Sequence, residues 1–134
     1  MTTLSGAETG GIPVLLKLAG RPAVVVGGGD DATALATALL AHGAIVSVVA
    51  VAASIALHAL AASDRIALLS RPYVRGDLAG AIVAACFEDG ETAAAVASEA
   101  LAERCPVYIA DHPELSTLSF SERAAQPSPA EEPA

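Results

Sequence analysis

Apolar and polar positions along this chain change period several times, and each change predicts an element. Ile12-Pro13-Val14-Leu15-Leu16-Lys17-Leu18 alternates weakly and predicts a short strand, which Pro13 places at a strand start or a sheet edge. After the turn Ala19-Gly20-Arg21-Pro22, the apolar run 23–27 predicts the first main strand. The spacing then becomes helical from about Asp31 to His42, with Leu35, Leu39 and Leu40 on one face and Gly43 as the terminating glycine. Residues 45–50 are β-branched and apolar on both faces, as suits a buried parallel strand. A second helix is expected over 53–62 and a third strand over 65–69. Residues 71–78 read as a loop, 80–86 as a fourth strand, 91–104 as an alanine-rich helix and 107–110 as a fifth strand.

Strands that alternate with helices predict an α/β fold with a parallel sheet. Right-handed crossovers and a phosphate-type turn after the first long strand favour order 3-2-1-4-5, with the 12–18 strand as an extra edge strand. Such folds bind ligands beyond the carboxyl ends of their strands. Those ends carry Gly27–Asp31, Ala50–Ala52, Cys86–Asp89 and Asp111–His112. The expected organisation is a flexible amino terminus over 1–11, one domain over 12–120, and a disordered tail over 121–134. From Ala124 that tail is rich in proline and acid, with no bulky apolar residue.

Composition narrows the function classes. At 134 residues and 54% hydrophobic, the chain is long enough and apolar enough for one real core. A net charge of −8 with only 3% aromatics excludes the basic patches and stacking platforms of nucleic-acid binding. No apolar run reaches the ~18 residues of a membrane span, and residues 1–11 lack the pattern of a secretory signal. The two cysteines, Cys86 and Cys105, lie in apolar surroundings and read as buried reduced thiols. A cytoplasmic protein is expected.

The candidate chemistry starts at Gly27-Gly28-Gly29-Asp30-Asp31-Ala32. Its spacing is G-x-G-x-x-A between a strand and a helix, a permitted form of the dinucleotide-binding fingerprint. Gly27 allows the tight turn, Gly29 leaves room for a pyrophosphate, and Ala32 lets the helix approach the strand. The opening amides of that helix lack intrahelical partners, so an anion can use them. The competing reading is a glycine-rich turn that binds nothing. No acidic residue closes the second strand, so Val51 and Ala52 would hold a ribose through backbone groups, and NAD is not distinguished from NADP. His42 reads as a helix-end histidine, His58 has no evident role, and His112 reads as an exposed turn residue. Asp111, His112 and Glu114 match no dedicated metal-site spacing.

Several short motifs in one order carry a family resemblance. They are Ile12-Pro13-Val14, Leu18-Ala19-Gly20-Arg21-Pro22, Val25-Val26-Gly27-Gly28-Gly29-Asp30, Leu39-Leu40 with Gly43-Ala44, and Val48-Val49-Ala50. Arg71-Pro72-Tyr73 with Gly76-Asp77-Leu78, Ala84-Ala85, and Ala110-Asp111-His112-Pro113-Glu114-Leu115 complete the series. Over about 12–120 the chain resembles the amino-terminal domain of siroheme synthases, the precorrin-2 dehydrogenases that are often also sirohydrochlorin ferrochelatases. The resemblance implies NAD-dependent oxidation of precorrin-2 to sirohydrochlorin, with a tetrapyrrole as the partner molecule. It assigns the acid/base role to Asp111, which also matters for metal insertion in bifunctional members. It places NAD contacts at Gly27, Gly28, Gly29, Asp30 and Asp31, at Val51 and Ala52, and at Cys86 on the fourth strand's end.

The chain also differs from that pattern. Asp31 stands where the family usually has valine, and the first helix carries no Lys or Arg. Cys86-Phe87-Glu88-Asp89 replaces a Thr-Asp-Asp-like run. After Leu115 only a trace of the family's dimerisation and substrate-binding region remains, so a truncated member is expected, its site completed by a homodimer or a partner chain. Two other classes compete with the enzyme. One is a catalytically degenerate nucleotide- or partner-binding module. The other, a phospho-receiver domain, is excluded because Ser70-Arg71 and Asp111 stand where its phospho-accepting Asp and its Lys belong.

Overall fold

The computed structural model describes residues 10–120; the two expected termini lie outside the described residues apart from residues 10 and 11. Five strands and three helices alternate: β1 (Pro22–Val26), α1 (Asp30–Ala41), β2 (Ile45–Val49), α2 (Ile55–Ala62), β3 (Ala67–Leu69), β4 (Val83–Cys86), α3 (Gly90–Glu103) and β5 (Val107–Ile109). The strands form one parallel sheet in the expected order, β3-β2-β1-β4-β5.

The two-residue period of β1 sorts its side chains between two cores. Ala23 and Val25 face one side, with Val46 and Val48 of β2 and Val83 and Ala85 of β4, against Leu35, Ala36 and Leu39 of α1 and Leu57 of α2. Val24 and Val26 face the other side, with Ala84, Cys86, Val107 and Ile109, against Ala93, Val96 and Ala100 of α3 and Leu78. Both faces of the central strands are dry, which explains their near-continuous apolar sequence. The helices end alike: Ala44, Arg65 and Cys105 donate back to Leu39, Leu60 and Ala100, around left-handed Gly43, Asp64 and Arg104. This is the Schellman arrangement, with Asp and Arg twice standing where glycine is favoured.

One expectation is corrected. Residues 12–18 form no strand, so the sheet has no extra edge strand among the described residues. Ile12 and Val14 are each 81% exposed, and only Leu18 packs on the core. The β5 margin is already taken. Thr117 Oγ1 accepts from Val107 N (2.9 Å), Ser116 Oγ accepts from Ile109 N (2.8 Å), and Thr117 and Leu118 donate back to Val107 O. A smaller difference lies at β4, which starts at Val83 because 75–80 turn and Ile82 only then joins Pro22 O (2.8 Å).

These packing differences give a stability contrast between two leucines. Leu57 is fully buried and Leu101 is 78% exposed. Leu57→Ala should cost about 2–5 kcal/mol, and Leu101→Ala no more than about 0.5 kcal/mol. Urea unfolding of both variants checks this; equal losses would contradict the packing described.

Candidate functional site

The glycine turn is held by close contacts on one side and open on the other. As β1 ends, Gly27 donates to Val49 O (2.8 Å) at φ +128°, a left-handed conformation that favours glycine. A Cβ on Gly28 would stand 2.0 Å from Ala52 O, so no other residue fits there. Ser54 N donates to Gly28 O (2.9 Å), and the Thr33 and Ser54 hydroxyls lie 2.7 Å apart. These bonds clamp the turn after β1 to the turn after β2. A Cβ on Gly29 would meet nothing within 4 Å. Gly29 caps α1 without a side chain, and Thr33 N is the amide that reaches Gly29 O (2.9 Å). The amides before it have no intrahelical acceptor and open onto this free space. Ala32 is fully buried, which lets α1 lie close to the sheet. The residues therefore fit a dinucleotide pyrophosphate sterically. Asp30 and Asp31, both exposed in the first turn of α1, add negative charge at the same place.

Beside this turn lies a small open cleft of about 60 Å³. Its walls come from four strand ends: Val26 of β1, Val49 to Val51 at β2, Arg71 to Tyr73 after β3, and Glu88 after β4, with Thr92 of α3. Val51 is 72% exposed and Ala52 is exposed, so both expected contacts are available. Arg71 forms a two-point bond to Asp77 (2.9 and 2.8 Å), which holds the Asp77 carboxyl below its ordinary range. Arg71 also donates to Pro72 O (3.0 Å). Cys86, expected to meet the cofactor at the end of the fourth strand, faces inward. Its side chain is fully buried in the α3-side core, and burial pushes its thiol up to about 11. Cys105 is likewise buried and pushed up to about 11, so both thiols are inert, as their surroundings in sequence predict.

Asp111 follows β5 on the same edge, exposed and left-handed at φ +65°. Two strand spacings separate β5 from β1, about 10 Å, so Asp111 and the glycine turn share one rim without touching. His112 is not a free turn residue. Its Nε2 lies 2.8 Å from Asp89 Oδ1 and its Nδ1 lies 2.9 Å from Glu114 Oε2. Asp89 also accepts from Gly90 N (2.8 Å) as the cap of α3. The hydrogen bond to Asp89, then that to Glu114, raises the His112 pKa; the same bonds lower both carboxyls. The register makes this contact readable in retrospect. Cys86 pairs with Ile109, so Asp89 and His112 each stand three residues past paired positions. Among the described residues no group of three or more His, Cys, Asp or Glu is placed to hold a metal ion, and His58 is exposed on α2. Sequence reasoning placed Glu88 at a ligand-binding strand end but missed Arg71, Tyr73 and Thr92 in the cleft wall.

Residues 14–122 match a family model described as "Putative NAD(P)-binding". The chain belongs to this family. Among curated proteins it is 39% identical over 110 residues to a siroheme synthase of Ectopseudomonas mendocina, covering 81% of this chain and 23% of that one. It is 38% identical over 108 residues to a siroheme synthase of Methylobacillus flagellatus, covering 80% and 23%. The chain thus spans about a quarter of the length of these relatives. Among solved structures, the precorrin-2 dehydrogenase SirC shares the fold with a TM-score of 0.71 at 23% identity, over 81% of this chain and 53% of that one. Among the described residues no helix is long and apolar enough to cross a membrane.

The Asp89–His112–Glu114 clasp has a defined pH window. Because its pKa is raised, His112 contributes fully below its ordinary 6.5, and the contribution fades as pH rises through the folded value. Because their pKa values are lowered, Asp89 and Glu114 contribute above their ordinary 3.8 and 4.5, and this fades as pH falls through the folded values. The melting-temperature difference between wild type and His112→Ala should therefore be largest between pH 4.5 and 6.5 and shrink on both sides. It should also shrink in high salt, since the groups are exposed. A difference that does not vary with pH would refute the clasp.

Proposed function

We propose that this chain is a cytoplasmic, NAD-dependent dehydrogenase that oxidises precorrin-2 to sirohydrochlorin. The observation that carries the reading is the turn at Gly27 to Gly29. It is clamped at Gly28, open at Gly29, and on the same sheet edge as Asp111. Kinship with siroheme synthases over 81% of the chain supports the choice of substrate.

In this reading the free amides of α1 and the space at Gly29 hold the pyrophosphate. The backbone at Val51 and Ala52 orients the adenosine side. The cofactor, when bound, supplies a hydride acceptor. Removing a hydride from precorrin-2 leaves a cation that must lose a proton to become sirohydrochlorin. The Asp111 carboxylate takes that proton, so substrate and NAD⁺ become product, NADH and H⁺. Asp111 suits the task because its exposed, left-handed position turns it away from the β5 ladder. His112 beside it is held by two carboxylates and fixes the loop on which Asp111 stands.

A second reading rests on Asp30 and Asp31. Two carboxylates in the first turn of α1, in a helix that carries no Lys or Arg, oppose a bound pyrophosphate. A nucleotide-binding module without catalysis would tolerate that loss of affinity.

Titration with NAD and NADP, followed by an assay with precorrin-2, separates the readings. Turnover by the wild type supports the dehydrogenase; nucleotide binding without turnover supports the module. Asp31→Val should tighten NAD binding by about 0.3–1 kcal/mol, the value of a charge at a helix end. Unchanged or weaker affinity in that variant would refute the repulsion. Asp111→Asn keeps size and shape but removes the proton acceptor. It should lower turnover by about 10²–10⁴-fold while leaving NAD affinity unchanged. Full turnover in Asp111→Asn would remove the assignment.

A further inference from the structure

Glu99 lies on α3, away from the glycine turn and from Asp111, and is 2% exposed. Its carboxylate faces the loop between β3 and β4 rather than solvent. Oε1 accepts from the Tyr73 hydroxyl, and Oε2 accepts from Gly76 N (2.9 Å) and Leu78 N (3.3 Å). Burial, then the bond to Glu99, raises the Tyr73 pKa, so the phenol stays a donor. A buried carboxylate is costly without such donors, so its conformation and that of the loop are mutually dependent.

The same loop supplies Arg71, Pro72 and Tyr73 to the cleft at the strand ends. Its other polar bonds are short-range. Arg71 and Val74 both bond to Asp77, Asp77 N reaches Val74 O, and Arg71 N reaches Leu69 O. Those bonds shape the loop, but they do not attach it to a helix. The attachment comes from Glu99, together with Tyr73 and Leu78 packed on the α3-side core.

We infer that Glu99 is a positioning residue for the nucleotide cleft: through Tyr73 and the amides of Gly76 and Leu78, it fixes the wall that carries Arg71. This rests on the nucleotide-binding reading above. The wall stands across from Val51, where the adenosine half of the dinucleotide lies in that reading. Loosening the wall lowers nucleotide affinity and leaves proton transfer at Asp111 untouched.

The test measures NAD affinity, turnover and amide hydrogen exchange on the full chain, well below the melting temperature. Glu99→Ala should weaken NAD binding about tenfold, the effect expected when buried donors lose their acceptor. It should speed exchange at Gly76 and Leu78 and leave kcat at saturating NAD unchanged. Glu99→Gln keeps the volume and one acceptor oxygen, and should recover most of the affinity. A merely structural role would lower the melting temperature without moving the affinity of the folded protein. Glu99→Ala that folds and binds NAD as the wild type does overturns the inference alone. A wild type that binds neither NAD nor NADP overturns the nucleotide reading, and this inference with it. If Glu99→Ala does not fold, Glu99→Asp, whose shorter side chain draws the acceptor away from both amides, decides: NAD affinity equal to the wild type, or weaker affinity without faster exchange at Gly76 and Leu78, overturns the inference, and weaker affinity with faster exchange supports it.

Discussion

The working edge of this sheet depends on one close approach, the backbone of Gly28 against that of Ala52 and Ala53. A single methyl group at Gly28 would overlap Ala52 O at 2.0 Å. The contact joins four elements at once. Ser54 donates its amide to Gly28 O, its hydroxyl accepts from Leu57 N to cap α2, and the same hydroxyl meets Thr33 on α1. The turn after β1, the first helix, the turn after β2 and the second helix thus share one small node. The free surface at Gly29 and the exposed positions Val51 and Ala52 flank that node, so their relative placement follows from it.

Much of this architecture was legible because the sheet is buried on both faces. Runs such as residues 23–26 and 45–49 can only be central parallel strands, and the helices between them set the strand order. The turn at Gly27, the open space at Gly29 and the close packing of Ala32 were legible from spacing alone. The role of Gly28 was not, because the atoms it must avoid lie 24 residues away in another turn. Residues 12–18 misled because weak alternation matches a strand without specifying any partner, and Ile12 and Val14 stay exposed. His112 and Glu99 were obscured for a related reason. A polar side chain declares its partner only once register and loop placement are known, as Asp89 beside His112 and Tyr73 beside Glu99 illustrate. The end of a strand looks accessible in sequence, while the Cys86 side chain turns into the α3-side core.

The charges around the site pull in opposite directions. Acids at the start of α1 stabilise the helix against its own dipole yet oppose an anionic ligand there. Arg71 faces the cleft, but Asp77 already balances its charge. The site therefore offers shape and backbone donors more than net positive potential. Recognition built this way depends on geometry being held firmly, and the clasp of His112 and the bonds of Glu99 each hold one side of the rim.

The hydroxyls of Ser116 and Thr117 along β5 have a consequence for how copies of this chain meet. An outer strand with free amides is a template on which other chains can add strands and aggregate. Here the amides of Val107 and Ile109 already bond to side-chain oxygens, which imitate a ladder without continuing it. These two small residues end the sheet on that side. Association through the β5 margin first requires residues 116–118 to be peeled away, which guards a thin, alanine-rich fold against edge-to-edge growth.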